Sequence, residues 1–234
     1  MAALTDVHQH VLWGLDDGPR SPQMMQHMLD AAAAQNIRRI CATPHAVPGL
    51  QPFDNELYAA RLEEARHYCE ANGLDVEVLP GAEVAWTYYT VEALRKRQIP
   101  TLNNSDTVLI EFWPSVRWYE ITDACKSLLR AGCKPLIAHV ERYYCFQFMP
   151  VRALRFRDEL SVGYQLNAES VLYSRGMMIN RFVRIMLEEH GFDAVASDAH
   201  DMHNRPQRLS DAHKVLTQIC DRAYADSLVN YFGA

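Results

Sequence analysis

The sequence predicts an α/β fold built on a parallel β-sheet, and two observations support that prediction. Seven short apolar or β-branched segments alternate with helical patterns along the 234 residues, an order typical of parallel sheets covered by helices. The G-x-G-x-x-G fingerprint of dinucleotide-binding open sheets is absent from the sequence. We therefore expect a closed barrel smaller than the usual eight-stranded one, with a doubly wound open sheet as the alternative.

The strands are predicted from short runs of apolar and β-branched residues that turn signals or helical patterns interrupt. The seven predicted strands span residues 4–8, 37–43, 76–82, 107–112, 135–139, 163–167 and 193–197.

The clearest helices have recognisable ends. Ser21 is placed as an N-cap directly before Pro22, which suits the first position of a helix. The next helix begins at Asp54 and stops at Gly73. Further helices are predicted over residues 91–97, 119–131, 150–160, 177–190 and 210–232.

Composition limits the class of protein. With 49% hydrophobic residues, the chain suits one domain with a sizeable core or two small ones, and we predict a single domain over residues 1–234.

No apolar run reaches about 18 residues, so no stable membrane insertion is expected. The net charge of −6, without a basic run, argues against nucleic-acid binding. We find no export signal, and the six scattered cysteines form no Cys-x-x-Cys pair, so we expect reduced thiols and a cytoplasmic location.

Polar residues follow the predicted strands in a regular way. Six of the seven strands run into histidine or a carboxylate, namely His8 with His10, His45, Glu83, Glu111, His139, and Asp198 with His200. A single histidine at a strand end is more often a structural residue than a ligand. The carboxyl ends of parallel strands meet at one rim, however, so these side chains are expected to converge. Packed carboxylates repel one another, and divalent cations would remove that repulsion.

The opening segment "DVHQHVLWGLDDG" fits such a site. His8 and His10 lie two residues apart on a strand and therefore share one face. The whole set of imidazoles and carboxylates is too large for one tetrahedral zinc ion and suits two or three metals with bridging carboxylates. Mixed nitrogen and oxygen ligands favour Mn, Fe or Zn over Ca or Mg.

Two arginines are expected on loops at the same rim. Arg142 lies three residues after His139, and Arg205 lies five residues after His200. The guanidinium fork binds phosphate oxygens in a bidentate manner. Each could equally be an ordinary surface arginine if the predicted ligands were not adjacent.

The ordered motifs H-x-H, D-D-G, T-P-H, G-x-E, I-E-F, A-H-x-E-R-Y and S-D-A-H resemble the polymerase-and-histidinol-phosphatase (PHP) superfamily. The segments "DVHQHVLWGLDDGPRS", "ICATPH", "GAEV", "IAHVERY", "YQLNAES" and "SDAHDMHNRP" resemble its bacterial capsule and exopolysaccharide branch, the manganese-dependent protein tyrosine phosphatases. These segments span residues 6–206. The resemblance implies a distorted seven-stranded (β/α)7 TIM-like barrel with a trinuclear metal centre.

The resemblance also assigns roles to residues. Of the adjacent acids, it makes Asp17 the ligand and leaves Asp16 to support the loop. It gives Arg142 and Arg205 the role of binding phosphate. The metal ligands that it implies are His8, His10, Asp17, His45, Glu83, Glu111, His139, Asp198 and His200.

The expected reaction is hydrolysis of a phosphate monoester by a metal-activated hydroxide that attacks phosphorus. Mn²⁺ is the expected metal, as two or three ions, with Fe or Zn as alternatives. Arg142 and Arg205 would bind the transferring group, and a metal-adjacent Asp or His, with Asp198 as one candidate, would supply any acid that the reaction needs. The expected substrate is a phosphotyrosine protein, with a bacterial tyrosine kinase as partner. No cysteine is followed six positions later by arginine, which excludes the cysteine-dependent phosphatase mechanism.

Two other functions stay open from the sequence. The same metal site would serve a small-molecule phosphatase acting on histidinol phosphate or on a sugar or nucleotide monoester. A metal-stabilised scaffold without activity is the other alternative. The aromatic segments 84–89 and 112–119 would either line a substrate pocket or pack against the barrel.

Overall fold

The computed structural model of the protein describes residues 3–232. Residues 1–2 and 233–234 of the predicted domain lie outside this range. The first two residues of the segment inspected for an export signal are among them. The strands are β1 Leu4–Gln9, β2 Ile37–Ala42, β3 His45–Ala46, β4 Glu77–Pro80, β5 Glu83–Ala85, β6 Thr107–Glu111, β7 Lys134–Ile137, β8 Gly163–Asn167 and β9 Ala194–Ala196. The α-helices are α1 Pro22–Ala34, α2 Asn55–Ala71, α3 Thr90–Arg95, α4 Trp118–Arg130, α5 Tyr144–Phe148, α6 Pro150–Leu160, α7 Ala168–Leu172, α8 Met177–Glu188, α9 Leu209–Ile219 and α10 Arg222–Leu228. Two short 3₁₀ helices span Leu102–Asn104 and Val140–Arg142.

The strands form two parallel sheets, and the exact seven-stranded barrel is not confirmed. One sheet has the order β1-β2-β4, and a curled half-barrel of six strands has the order β3-β5-β6-β7-β8-β9. The second and third predicted strands, 37–43 and 76–82, correspond to β2 and β4 of the three-stranded sheet. The short strands β3 and β5 that follow them begin beyond the predicted bounds and belong to the six-stranded sheet. Pro44, which has no N–H to donate, separates β2 from β3, and Gly81 follows β4 before β5 begins. An isolated parallel bridge joins Gln9, at the end of β1, to Ala199 beyond β9.

The helices confirm most of the sequence prediction. The Ser21 hydroxyl accepts a hydrogen bond from the Met24 N–H at 3.3 Å, and the Asp54 carboxylate accepts one from the Leu57 N–H at 2.9 Å, so both predicted N-caps are confirmed. The single helix predicted over 210–232 is wrong, because Asp221 caps a new helix, α10, after α9 has ended. The sequence also did not predict α5 and α7. No helix of residues 3–232 is both long enough and apolar enough to cross a membrane.

Two apolar clusters stabilise the fold. The larger one fills the space between the sheets and the helices that cover them. The smaller one packs side chains of both sheets against one another, so the two sheets enclose a common interior. Its buried members are Val7, Cys41, Leu79, Leu102, Leu109, Leu136, Ala138, Ala194 and Ala196. This apolar interior is a fixed support for the strand ends that carry the polar residues.

Candidate metal centre

The nine predicted ligands lie together, and His45 and Glu83 are the first residues of the short strands that follow β2 and β4. His8, His45, Glu83 and Glu111 belong to β1, β3, β5 and β6, and the others follow strands on short connections. The parallel register itself pairs His45 with Glu83 on neighbouring strands. The structure therefore brings residues from both sheets into one cluster.

The cluster contains three groups whose ligand atoms lie within 4.8 Å of one another. We call them the inner, outer and edge groups. The inner group is His8, His10, Glu83 and Asp198; the outer group is His10, Asp17, His45 and His200; the edge group is His45, Glu83 and Glu111. Three groups that share members are what a polynuclear centre with bridging carboxylates requires.

The inner group is fully buried and converges on one carboxylate oxygen. Oε2 of Glu83 lies 3.2 Å from Nε2 of His8 and 3.2 Å from Nε2 of His10. The two Nε2 atoms are themselves 3.3 Å apart. Oδ1 of Asp198 lies 3.4 Å from Nε2 of His8. Imidazole lone pairs and carboxylate oxygens that face one another across so short a distance form a natural ligand cage for a divalent ion.

The outer and edge groups open towards solvent. Oδ1 of Asp17, a residue that is 60% exposed, lies 3.4 Å from Nε2 of His45 and 3.2 Å from Nε2 of His200. Nδ1 of His45 lies 3.1 Å from Glu83 and 3.3 Å from Glu111. His45 uses one ring nitrogen in each group, which links them.

His139 lies outside the three groups but contacts two of their members. Its Nε2 is 2.7 Å from Oε1 of Glu83 and 3.8 Å from Oε2 of Glu111. The φ angles of His139 and Asp198 are 31° and 53°. Such left-handed conformations are unfavourable for residues other than glycine and occur preferentially at functional sites.

The electrostatics show how strongly the cluster attracts positive charge. Burial would lower the pKa of His10, but Asp16 and Glu83 raise it to about 9. Burial likewise opposes protonation of His45, yet Glu111 and Glu83 raise its pKa to about 11. Burial would raise the pKa of Glu83, and the surrounding imidazoles hold it well below its ordinary range. In the absence of metal, protons supply the charge that the carboxylates require.

One buried atom tests whether the residues fit a metal. Nε2 of His200 is buried and makes no hydrogen bond within residues 3–232. Burial, together with the positive charges of His10 and Arg205, lowers the pKa of His200 to about 4, so its imidazole is neutral. A neutral imidazole with an unused lone pair that faces a carboxylate fits a metal ligand.

Asp16 has a different environment from its neighbour Asp17. Its carboxylate accepts hydrogen bonds from Nδ1 of His10 at 2.6 Å, from the His45 backbone N–H at 3.0 Å and from the Gly18 N–H at 2.9 Å. These contacts fix the tautomer of His10 so that its Nε2 faces the inner group. Asp16 therefore positions ligands and does not lie in any of the three groups.

Sequence reasoning missed a pair of amides on β8. Oε1 of Gln165 lies 3.1 Å from Nδ1 of His8 and accepts a hydrogen bond from the His139 N–H at 2.8 Å. Nε2 of Gln165 donates to Asn167 at 2.9 Å, and Asn167 donates to Asp198 at 2.8 Å. The "YQLNAES" motif contains both residues, but alternating amides in a buried strand carry no chemical signature in the sequence.

The two predicted phosphate-binding arginines meet at Asp198. Arg142 Nη2 donates to Oδ2 at 2.9 Å, and Arg205 Nη2 donates to Oδ1 at 3.0 Å. Arg205 Nη1 also lies 3.3 Å from Asp17. The side chains are 43% and 36% exposed, so both guanidinium groups border the cluster and reach solvent.

Comparisons with known proteins show the family of the chain. Residues 4–232 match the family described as Capsular polysaccharide synthesis, CpsB/CapC. The chain is similar to tyrosine-protein phosphatase CpsB of Streptococcus agalactiae, with 28% identity over 232 residues that cover 96% of this chain and 94% of the relative. It is also similar to tyrosine-protein phosphatase YwqE of Bacillus subtilis, with 31% identity over 216 residues that cover 91% and 84%.

The chain is also similar to solved structures. A chain from the crystal structures of YwqE from Bacillus subtilis and CpsB from Streptococcus pneumoniae, which are called unique metal-dependent tyrosine phosphatases, superposes with a TM-score of 0.84 at 27% identity and covers 97% of this chain and 95% of that one. A histidinol phosphate phosphatase from Lactococcus lactis, complexed with zinc, L-histidinol and phosphate, has a TM-score of 0.56 at 14% identity, with 92% and 93% covered. The second likeness concerns the fold alone.

Replacing Gln165 by leucine should weaken metal binding. The change removes the hydrogen bonds that orient His8 and His139, and losing such outer partners typically costs roughly 10–100-fold in metal affinity. Competition for Mn²⁺ with a metal-binding dye measures the effect. Gln207→Leu is the matched control, since within residues 3–232 neither polar atom of that buried side chain has a hydrogen-bond partner. An unchanged affinity in folded Gln165→Leu would contradict the positioning role.

Metal loading should release protons. The pKa values of about 9 for His10 and about 11 for His45 mean that both imidazoles are protonated in the metal-free protein near neutral pH, and coordination needs them neutral. We expect roughly two protons per chain to leave near pH 7.5, and affinity to rise with pH up to about 9 and less steeply from there to about 11. Calorimetric titration in two buffers of different ionisation enthalpy counts the protons. Binding without proton release would contradict the assignment.

Proposed function

The chain belongs to the CpsB/CapC family of capsular polysaccharide synthesis proteins, and from that premise we propose that it is a metal-dependent protein tyrosine phosphatase. One observation carries the proposal: three overlapping groups of imidazoles and carboxylates adjoin two arginines that share the carboxylate of Asp198. Multi-metal clamps and arginine forks are the two devices with which enzymes stabilise a transferring phosphoryl group. The relatives named tyrosine-protein phosphatase indicate the substrate class.

We propose that the cluster holds two or three divalent ions, with Mn²⁺ as the preferred metal and Fe or Zn as alternatives. Mixed nitrogen and oxygen donors support this choice over Ca²⁺ and Mg²⁺. The proposed ligands are His8, His10, Asp17, His45, Glu83, Glu111, His139, Asp198 and His200. When bound, such metals lower the pKa of a coordinated water so that hydroxide is available near neutral pH.

Arg142 and Arg205 are the proposed phosphate-binding residues. Arg142 uses Nη2 on Asp198, and Arg205 uses its two terminal nitrogens on Asp198 and Asp17. A guanidinium has five N–H donors, so each arginine keeps donors for phosphoryl oxygens while its carboxylate partner fixes its direction. Positive charge held in advance stabilises the charge that develops on the transferring group.

Asp198 is the proposed ligand and anchor, and its environment disfavours the role of proton donor. Burial would raise its pKa, but His8 and Arg142 hold it well below the ordinary range. Both of its oxygens already accept hydrogen bonds, from Arg142, Arg205 and Asn167. A tyrosine phenolate leaves fairly well without strong protonation, so this substrate class suits a site whose carboxylate stays ionised.

Four broader features complete the proposal. We propose that residues 1–234 form one PHP-type metallophosphatase domain and that its two sheets act as a distorted seven-stranded barrel. The bridge between Gln9 and Ala199 supports the barrel, since it joins the first strand to the segment after the last. We further propose a cytoplasmic location and a bacterial tyrosine kinase as the protein substrate, on the strength of the family.

Chelation tests the proposed function directly. Treatment with EDTA, followed by removal of the chelate, should abolish hydrolysis of a phosphotyrosine peptide, and Mn²⁺ should restore it. Histidinol phosphate assayed in parallel separates the small-molecule alternative, because a preference for it of more than about tenfold in kcat/KM, roughly 1.4 kcal/mol, would reverse the substrate assignment. Full activity after confirmed metal removal would refute the metal mechanism, and no activity with bound metal would favour a scaffold.

Removing either arginine should impair catalysis more than metal binding. We expect Arg142→Met and Arg205→Met each to lower kcat/KM on the phosphotyrosine peptide by about 10²–10³-fold, the usual effect of removing one donor to developing negative charge. Arg184→Met is the matched control, since that arginine pairs with Glu188 on the exposed face of α8. Elemental analysis should find the same metal content in all variants. Activity within about twofold of the parent would argue against phosphate binding by the arginine.

A further inference from the structure

An open cleft of about 1050 Å³ extends outward from the metal centre. Asp17, His45 and Glu111 line its inner end. The rest is lined by the aromatic side chains of Trp86, Trp113 and Tyr119, by aliphatic residues such as Leu50, and by the charged residues Arg117 and Glu120. The cleft therefore joins a polar metal-binding end to an outer end that is mainly aromatic and aliphatic, with one positive and one negative side chain.

The same strands deliver both ends of the cleft. Trp86 lies three residues after Glu83 on β5, and Trp113 lies two residues after Glu111 on β6. The Trp86 N–H donates to the carbonyl of Glu111 at 2.9 Å, which fixes one segment against the other. The positions of the aromatic residues are thus tied to the positions of the ligands.

Hydrogen bonds hold the two segments that carry Trp86 and Trp113 in place. The Tyr144 N–H donates to the Pro114 carbonyl at 3.0 Å, and the Val116 N–H closes a turn onto Trp113 at 2.9 Å. The hydroxyl of Thr87 donates to the Pro48 carbonyl at 2.8 Å. Trp113 is nevertheless 84% exposed. Trp86 is half-buried against the core, whereas packing does not account for the exposed side chains of Trp113 and Tyr119. An exposed aromatic surface next to the proposed metal centre is typical of a binding surface.

Size and charge identify the kind of occupant. Cavities that enclose a whole drug-sized ligand measure about 300–1,000 Å³, so the cleft, at about 1050 Å³, is larger than one phenyl phosphate needs. The carboxylates of Asp17 and Glu111 disfavour an anionic lipid surface, and the positive charge of Arg117 in the lining is offset by the negative charge of Glu120. An uncharged peptide backbone with apolar side chains suits the aromatic and aliphatic outer end. A small phosphate ester held at the metal end would leave Trp113 without a contact.

We propose that the cleft binds the polypeptide segment that flanks the phosphotyrosine of a protein substrate. The phosphoryl group lies at the metal end, and an apolar side chain next to the phosphotyrosine packs against Trp113 and Trp86. This inference rests on the proposed function and extends it, since it makes these residues determinants of protein over small-molecule substrates. Binding energy from a remote part of the substrate then contributes to catalysis at the reacting group.

The test compares two substrates in one variant. We expect Trp113→Ala to lower the ratio of kcat/KM for a phosphotyrosine peptide with apolar flanking residues to kcat/KM for phenyl phosphate by about tenfold or more, as loss of an aromatic anchor does at interfaces. Leu50→Asp, which places a charge on the same apolar end, should change the ratio in the same direction. Phe148→Ala is the matched control, because Phe148 is 65% exposed and lies outside the cleft.

The outcomes are distinguishable. A ratio that is unchanged in Trp113→Ala and Leu50→Asp, with the parent enzyme active on both substrates, overturns the peptide cleft and leaves the phosphatase assignment intact. Equal losses on the two substrates also overturn it, since they indicate disturbance of the metal centre. A metal-loaded parent that hydrolyses neither substrate overturns the proposed function and this inference together.

Discussion

The buried carboxylate of Glu83 is the group on which the rest of the centre depends. Its side chain is 1% exposed, and one of its oxygens lies 3.1–3.2 Å from nitrogens of His8, His10 and His45, while the other lies 2.7 Å from His139. An ionised carboxylate in such a place is costly unless positive charge surrounds it. Protons on the imidazoles or metal ions between them are the two ways in which this chain can meet that requirement.

The backbone is irregular where the proposed ligands converge. β3 and β5 are only two and three residues long, yet their register sets His45 beside Glu83. Both strands lie where the chain has crossed from one sheet to the other. His139 and Asp198 adopt left-handed conformations two residues after the ends of β7 and β9. Such backbone conformations cost free energy, and here they accompany the convergence of the proposed ligands from both sheets.

The sequence predicts most of the strands and the convergence of the polar residues that follow them, because both leave strong signals. An apolar run that stops at a histidine or carboxylate is visible without a structure, and β8 was predicted with its observed bounds of 163–167. The crossing of the chain into the second sheet as β3 and β5 is a tertiary effect, which no local pattern around Pro44 or Gly81 specifies. Gln165 and Asn167 were missed for a related reason. Their hydrogen bonds join residues 26 to 157 positions apart in the sequence, and periodicity does not report such contacts.

Asp16 and Asp17 are adjacent in the sequence but differ in exposure and in the residues that they contact. Asp17 is largely exposed and directs an oxygen between His45 and His200. The side chain of Asp16 is only 5% exposed and accepts hydrogen bonds from N–H groups. Burial would raise the pKa of Asp16, but its contacts with His10 lower it to about 2, so it is a permanent anion. Asparagine at position 16 would place its amide N–H groups close to the N–H donors of His10, Gly18 and His45. The residue that sequence reasoning assigned to loop support therefore governs the ligand geometry, because it holds His10 through its ring and His45 through its backbone.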